Sequence, residues 1–392
     1  MKTIGDVFPP SGHIQRIYCD DCGLHLDLAY TLFDEELSGI HVRIDGLPVL
    51  RCEACDKNYL PDLSRFAIIE KHRQASENGI TSVKVTRRKS TRTFDFTDVP
   101  FQYDPDDYLY IPGLYREWSE GFLNPVFFNR EVLLKYDTHP KYTVRFASRT
   151  YGDIDTGDSY IAFGINKHGR VVMWLGDIAK LPKNEQYYLC SENIPSDHSI
   201  GSEFYDGQIE CKFTDQPPED ELFKARSEFI DAVFKRAGLK IAHLDKEVVD
   251  LSMTFNAPVV DTEKERRHVA DTLNKIYLES FDNGALGVLL KRLGVDPKDL
   301  GSIKRLQGVI EVWAAAGTFD VPSIMSPLYV LYDLRVAYSH LSSTESAEKT
   351  LEKVTNRLGI PKESDLVAIY ERLLERLVGC FTSLTEIAKS AP

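Results

Sequence analysis

The sequence lacks any apolar run approaching the roughly 20 residues that a membrane-crossing helix needs. Its start, MKTIGDVFPPSGHIQRIYCD, has no apolar stretch of the secretory kind. A cytoplasmic protein without a membrane partner is therefore expected. Positive charge is not in excess: 47 Lys and Arg face 60 Asp and Glu, for a net charge of −13. That balance argues against a non-specific nucleic-acid coat and leaves only a local basic patch for such binding. Internal repeats and low-complexity tracts are missing. So are a P-loop, a GxGxxG fingerprint and an HExxH string, so an NTP-driven or dinucleotide-dependent enzyme is not expected.

What is present is ordinary globular composition, 43% apolar and 27% charged over 392 residues. At roughly 100–200 residues per domain this is two or three domains. The patterning predicts a multidomain α+β protein: a zinc-ribbon module with a short helix (1–80), a mixed α+β domain of unknown role (81–258) and a helical bundle (259–392). In the first part, His25–Leu28, Ile40–Ile44 and Pro48–Cys52 read as strands, and 62–79 as a helix ended by Gly79. In the second, YTVRFASRTYG, YIAFGINKHG and RVVMWLGD are strand-rich, with a hairpin loop at 165–169, and 219–238 reads as a helix closed by Gly238. Helical spacing then recurs over 262–281, 283–293, 301–316, 322–342, 347–358 and 365–389, joined by short links.

Seven cysteines are present, four of them in two close pairs, Cys19-Asp-Asp-Cys22 and Cys52-Glu-Ala-Cys55, separated by 29 residues. A CxxC turn aims two thiolates at one point, and two such turns complete a closed tetrahedral sulfur shell for structural Zn²⁺. A redox pair or chance spacing are the alternatives. In so small a β-rich module the metal would replace a core and serve folding. His13, His25 and His41 lie nearby in sequence, but four sulfurs suffice. Cys190, Cys211 and Cys380 read as buried small apolar residues.

This segment resembles the zinc-finger half of YgiT-type antitoxins over about residues 17–75. The likeness lies in CDDCG, a strand pair, then GLPVLRCEACDKNYL and a short helix. The helix-turn-helix that follows in those antitoxins is not recognisable here, so their DNA binding does not carry over.

The sharpest chemical pattern is in SPLYVLYDLRVAYSHLSS, where Arg335 and His340 form an R-x4-H string on a helix. This helix, in a bundle spanning about 260–392, resembles HEPN domains, many of which are metal-independent ribonucleases. The resemblance implies that Arg335 and His340 are catalytic and that RNA is cut to leave a 2′,3′-cyclic phosphate. The residue types suit that chemistry: an imidazole can move protons near neutral pH, and a guanidinium fork matches phosphate oxygens. Val336 stands where HEPN nucleases usually carry Asn, Asp or His. Positions five apart on a helix differ by about 140° in direction. A composite site between two copies, hence a homodimer or larger even assembly, relaxes that constraint. Asp333 and Ser339 are candidates to orient Arg335 or His340. A helix-end histidine and a salt-bridged surface arginine are the plain alternative.

Three further features read as structural or open. Lys84, Arg87, Arg88, Lys89 and Arg92 are either a phosphate-contacting strand or a solvated linker. Asp153, Asp155 and Asp158 read as a turn, without the remaining ligands of a calcium loop. Asp104, Asp106 and Asp107 read as an acidic loop. The leading expectation is a ribonuclease toxin of a bacterial defence or toxin–antitoxin kind, acted on by a protein trigger or antitoxin. The alternative is a non-catalytic zinc-finger regulator that dimerises through its bundle, with a DNA-binding regulator behind it.

Overall fold

Residues 27–52 form one long hairpin, β1 (Asp27–Leu37) and β2 (Ile40–Cys52), with apolar alternation clearest at Ile40, Val42 and Ile44, in a computed structural model that describes residues 2–8, 14–157, 159–213, 216–314, 319–339 and 343–390. The turn is Ser38-Gly39, both with positive φ (47° and 81°), the backbone twist a two-residue hairpin requires. The pairing shifts between Thr31 and Phe33, opposite Gly46 at a φ of 74°. The separate strands expected at 40–44 and 48–52 are thus one strand. Its second edge is shared end to end. Leu50–Cys52 pair antiparallel with β3 (Lys57–Tyr59), and His41–Asp45 pair parallel with β4 (Ser82–Thr86). Between β3 and β4 lies α1 (Asp62–Glu77), which buries Ile68 and Ala75 against Val42, Ile44 and Leu47. This part therefore has an apolar core of its own, and a metal would supplement it rather than replace it.

A six-stranded antiparallel sheet follows, ordered β10-β5-β9-β8-β7-β6. Its strands are β5 (Pro125–Phe128), β6 (Thr143–Phe146), β7 (Tyr151–Asp155), β8 (Tyr160–Ile165), β9 (Val171–Trp174) and β10 (Asn193–Ile194). β5 and β9 are buried along their whole length and read accordingly as continuous apolar runs. The 165–169 segment joins β8 to β9 as a hairpin loop. Five short helices are interspersed: α2 (Pro105–Tyr110), α3 (Leu134–Thr138), α4 (Leu175–Ile178), α5 (Lys183–Ser191) and α6 (Glu203–Gln208).

The DPDDY segment is not a solvated acidic loop. Asp104 caps α2 by accepting from the Asp106 amide at 3.0 Å, and all three carboxylates are buried. Each takes a cation: Asp104 pairs with Lys89 (2.7 Å), Asp106 with Arg87 (2.6 Å) and Asp107 with His198 Nδ1 (2.7 Å). Tyr30 of β1 donates to Asp106 and Ser196 to Asp107. His198 sits at a left-handed φ of 63°, and its carbonyl accepts from the Leu28 amide. Burial opposes the imidazolium, but Asp107 overrides it and holds the His198 pKa above its ordinary value. Three of the five cations in the basic stretch are thereby engaged internally, Arg87 and Lys89 as above and Arg92 on Glu120. Asp153 and Asp155 are paired with Arg145, and Asp158 lies outside the described residues.

The chain divides into two compact units, Met1–Asp215 and Gln216–Pro392. The second is helical: α7 (Pro218–Ala237), α8 (Asp245–Thr254), α9 (Glu263–Asn274) continued by a π turn (Lys275–Glu279), α10 (Asn283–Arg292), α11 (Ser302–Trp313), α12 (Val321–Ser339), α13 (Thr344–Leu358) and α14 (Leu366–Ser390). Thr262, Asp282 and Ser343 cap α9, α10 and α13, while Gly238 and Gly359 end α7 and α13 in left-handed geometry. Leu366, Ile369, Leu373, Leu377, Phe381 and Leu384 form the buried stripe of α14, and Leu222, Phe229 and Val233 of α7 share its core. That packing places α7 and α8 with the C-terminal helices, where the sequence pattern suggested a boundary near 258. The chain is thus a multidomain α+β protein with a C-terminal helical region. No helix among the described residues is long and apolar enough to cross a membrane.

Gly201 offers a test of packing within the first unit. A Cβ there would lie 2.2 Å from the Cβ of His25, an atom that no side-chain rotation can move away. Gly201→Ala should destabilise the first unit by about 1–3 kcal/mol, the usual cost of overpacking. Urea unfolding followed by circular dichroism should show a lower midpoint at an unchanged slope.

Candidate metal centre and the groove around Arg335

The first CxxC lies in a loop closed by its own backbone. The Cys19 amide donates to Leu24 O at 2.8 Å, and the Gly23 amide, at a φ of 73°, donates to Cys19 O at 2.9 Å. The second forms the turn from β2 to β3, where Cys52 pairs with Lys57 and Asp56 takes a left-handed φ of 50°. Arg51 fixes that turn through an ion pair with Asp56 at 2.6 Å. The two loops bring the sulfurs of Cys19, Cys22, Cys52 and Cys55 within 4.8 Å of one another. Cys22 and Cys52 Sγ are 3.6 Å apart, and none of the four is in a disulfide. Sulfurs bound to a tetrahedral zinc at ~2.3 Å stand about 3.8 Å from each other. The set is therefore compatible with a zinc site. Cys19 and Cys52 are buried and Cys22 and Cys55 exposed, so the cluster sits at the rim of its sheet.

The electrostatics of the cluster are uneven. The Tyr59 hydroxyl accepts from the Asp20 amide at 3.0 Å and lies 3.3 Å from Cys19 Sγ, which it holds down to about 6. Cys55 is pushed up to about 12, chiefly by its contact with Cys22. Four thiolates this close repel one another, and a dication removes that repulsion. The neighbouring imidazoles are engaged elsewhere: His25 bonds Asp206 at 2.9 Å and His41 bonds Asp34 at 2.7 Å. His13 lies outside the described residues. Cys380 is buried as expected, but Cys190 is only partly buried and Cys211 is exposed.

In the helical unit Arg335 projects from α12 into an open groove of about 570 Å³. The groove also holds Lys304, Tyr329, Tyr332, Asp333 and Arg357. Arg335 is paired: its Nε reaches Asp271 at 3.3 Å and its Nη1 reaches Glu279, on the π turn, at 3.1 Å. Asp333 does not orient Arg335; it pairs with Arg357 at 2.9 Å. Lys304 makes no ion pair among the described residues, and Tyr332 is 47% exposed. α12 is described through Ser339, so His340 lies outside the described residues. The residues the sequence pattern missed here are Asp271 and Glu279. Their separation from Arg335 in the chain leaves no local signal.

Tyr59→Phe should raise the Cys19 pKa, because the hydroxyl that favours the thiolate is gone. Less thiolate should then be present near neutral pH. Thiolate ultraviolet absorbance titrated in excess chelator checks this; an unchanged curve would show that the hydroxyl does not set the Cys19 charge. No protein-family model matches the chain, and comparison with curated proteins and with solved structures gives no match either.

Proposed function

We propose that the helical unit is a metal-independent endoribonuclease and that the cysteine cluster of the first unit holds a structural zinc. The observation that carries the first part is the place of Arg335. It lines an open groove with two further cations, Lys304 and Arg357, and an exposed tyrosine face at Tyr332. Cations with an aromatic face suit a single-stranded RNA segment, phosphates on the guanidinium groups and a base on the ring. RNA supplies its own nucleophile: the 2′-oxygen attacks phosphorus, the 5′-oxygen leaves, and a 2′,3′-cyclic phosphate remains. The protein then needs a proton carrier, assigned to His340, and a charge stabiliser, assigned to Arg335. This fits the resemblance to HEPN ribonucleases. Together with the YgiT-type resemblance it suggests a cytoplasmic bacterial toxin or defence protein, dimeric through its bundle and controlled by a protein partner.

A second reading has its own support. Asp271 and Glu279 already neutralise Arg335, as in a bundle that is only structural. The zinc-bearing part would then regulate by binding. RNA cleavage in EDTA by wild type, Arg335→Ala and His340→Ala separates the two. Either substitution should lower the rate by a factor of about 10²–10⁴. Equal rates in all three, with a lowered melting temperature for Arg335→Ala, favour the structural reading.

For the zinc, elemental analysis should find one equivalent per chain, lost in Cys52→Ser. Because the sheet has its own core of Val42, Ile44, Leu47 and Ile68, the variant should keep most of its secondary structure. Amide exchange should quicken chiefly around 17–26 and 50–59.

A further inference from the structure

Several half-buried cations in this chain are paired with carboxylates, among them Arg87 with Asp106 and Lys135 with Glu185. Arg226, on α7, is more deeply buried and has no such pair. It is 5% exposed, and among the described residues no carboxylate stands within ion-pair distance. Its Nη2 donates to Ser280 Oγ at 2.7 Å. That hydroxyl spends its own proton on Ile276 O at 2.6 Å, so it offers the guanidinium only a neutral dipole. Nε has no partner at all. A buried charge left in this state is costly unless something outside the chain completes it.

The space beside it is shaped for a ligand. Arg226 lines a cavity of about 440 Å³ between α7 and α8, walled by Phe223, Ile230, Phe234, Val248 and Val249. That volume is in the usual range of small-molecule sites. Phe234 and Val249 are 54% and 40% exposed, so the apolar wall opens to solvent. At the rim, Lys240 is already paired with Asp245. Asp231 lines the cavity as well, so the site offers one guanidinium without an ion-pair partner, an apolar wall, and the carboxylates of Asp231 and Asp245.

We infer that the α7–α8 cavity binds a small carboxylate monoanion with an apolar body. The guanidinium of Arg226 donates to the carboxylate through N–H groups that Ser280 leaves free, as charge-assisted hydrogen bonds. Phe223, Ile230, Phe234 and Val249 cover the hydrocarbon. The single guanidinium and the carboxylates of Asp231 and Asp245 favour a monoanion over a dianion such as a phosphate monoester. The inference stands apart from the ribonuclease reading, since it uses none of the residues around Arg335.

Calorimetric titration of the full-length protein with octanoate, octanol and octyl phosphate tests it. Octanoate should bind with one site per chain and octanol at least about tenfold more weakly, as loss of a charge-assisted bond requires. Arg226→Gln should lose octanoate binding by a similar factor while melting no lower than wild type. Val249→Trp, which fills the cavity from its exposed wall, should abolish binding and retain the fold. The inference is overturned by absent octanoate binding, by equal affinity for octanol, or by unchanged affinity in Val249→Trp. Tighter binding of octyl phosphate would overturn the carboxylate assignment. Should Arg226→Gln fail to fold, the octanoate–octanol comparison on wild type and the Val249→Trp result still decide.

Discussion

Three carboxylates taken out of water, Asp104, Asp106 and Asp107, set the terms for the first unit. Each needs a counter-charge at close range, because an ion buried alone is far costlier than one paired and hydrogen-bonded. The cations come from distant parts of the sequence: Arg87 and Lys89 from the segment after β4, His198 from the segment after β10. Satisfying the trio therefore fixes where the hairpin that carries the cysteines stands against the six-stranded sheet. Tyr30 adds a direct bond from β1 to the same cluster. The requirement is electrostatic, but its effect is positional.

The parts of this architecture that were legible in the sequence are those governed by a local period. The C-terminal helices other than α12 follow a 3.6-residue apolar repeat, and over the described residues all six stay close to the expected bounds. The two CxxC turns were equally plain, since a four-residue spacing already brings two thiols together. What escaped was non-local or masked by polarity. Residues 29–37 hold few buried side chains, so the second half of β1 carried no clear apolar signal. DPDDY and the basic stretch each looked solvated because their partners are far away in the chain. α8 was missed because Val248 is its sole fully buried side chain. The pairing of Arg335 with Asp271 and Glu279 belongs to the same class of long-range fact.

The Arg335 groove is balanced rather than basic, with Glu279, Asp299 and Asp333 beside Lys304, Arg335 and Arg357. A phosphate entering it must displace or share carboxylates already bound to the arginines. Such a site discriminates against loosely held anions, since binding is gained only when several phosphate contacts are made together. On the proposed ribonuclease reading, that property would keep the site empty until a substrate makes several contacts at once.

The left-handed residue His198 has an effect beyond its imidazole. Its carbonyl takes the Leu28 amide, on the outer edge of β1. At the other end of that strand Lys2 forms a parallel bridge with Leu37. An outer strand with free amides is an invitation to another chain's strand. Here both ends of that edge are already engaged, and Glu35 and Glu36 charge its far half. The bend that presents a histidine to Asp107 thus also guards the sheet against edge-to-edge aggregation.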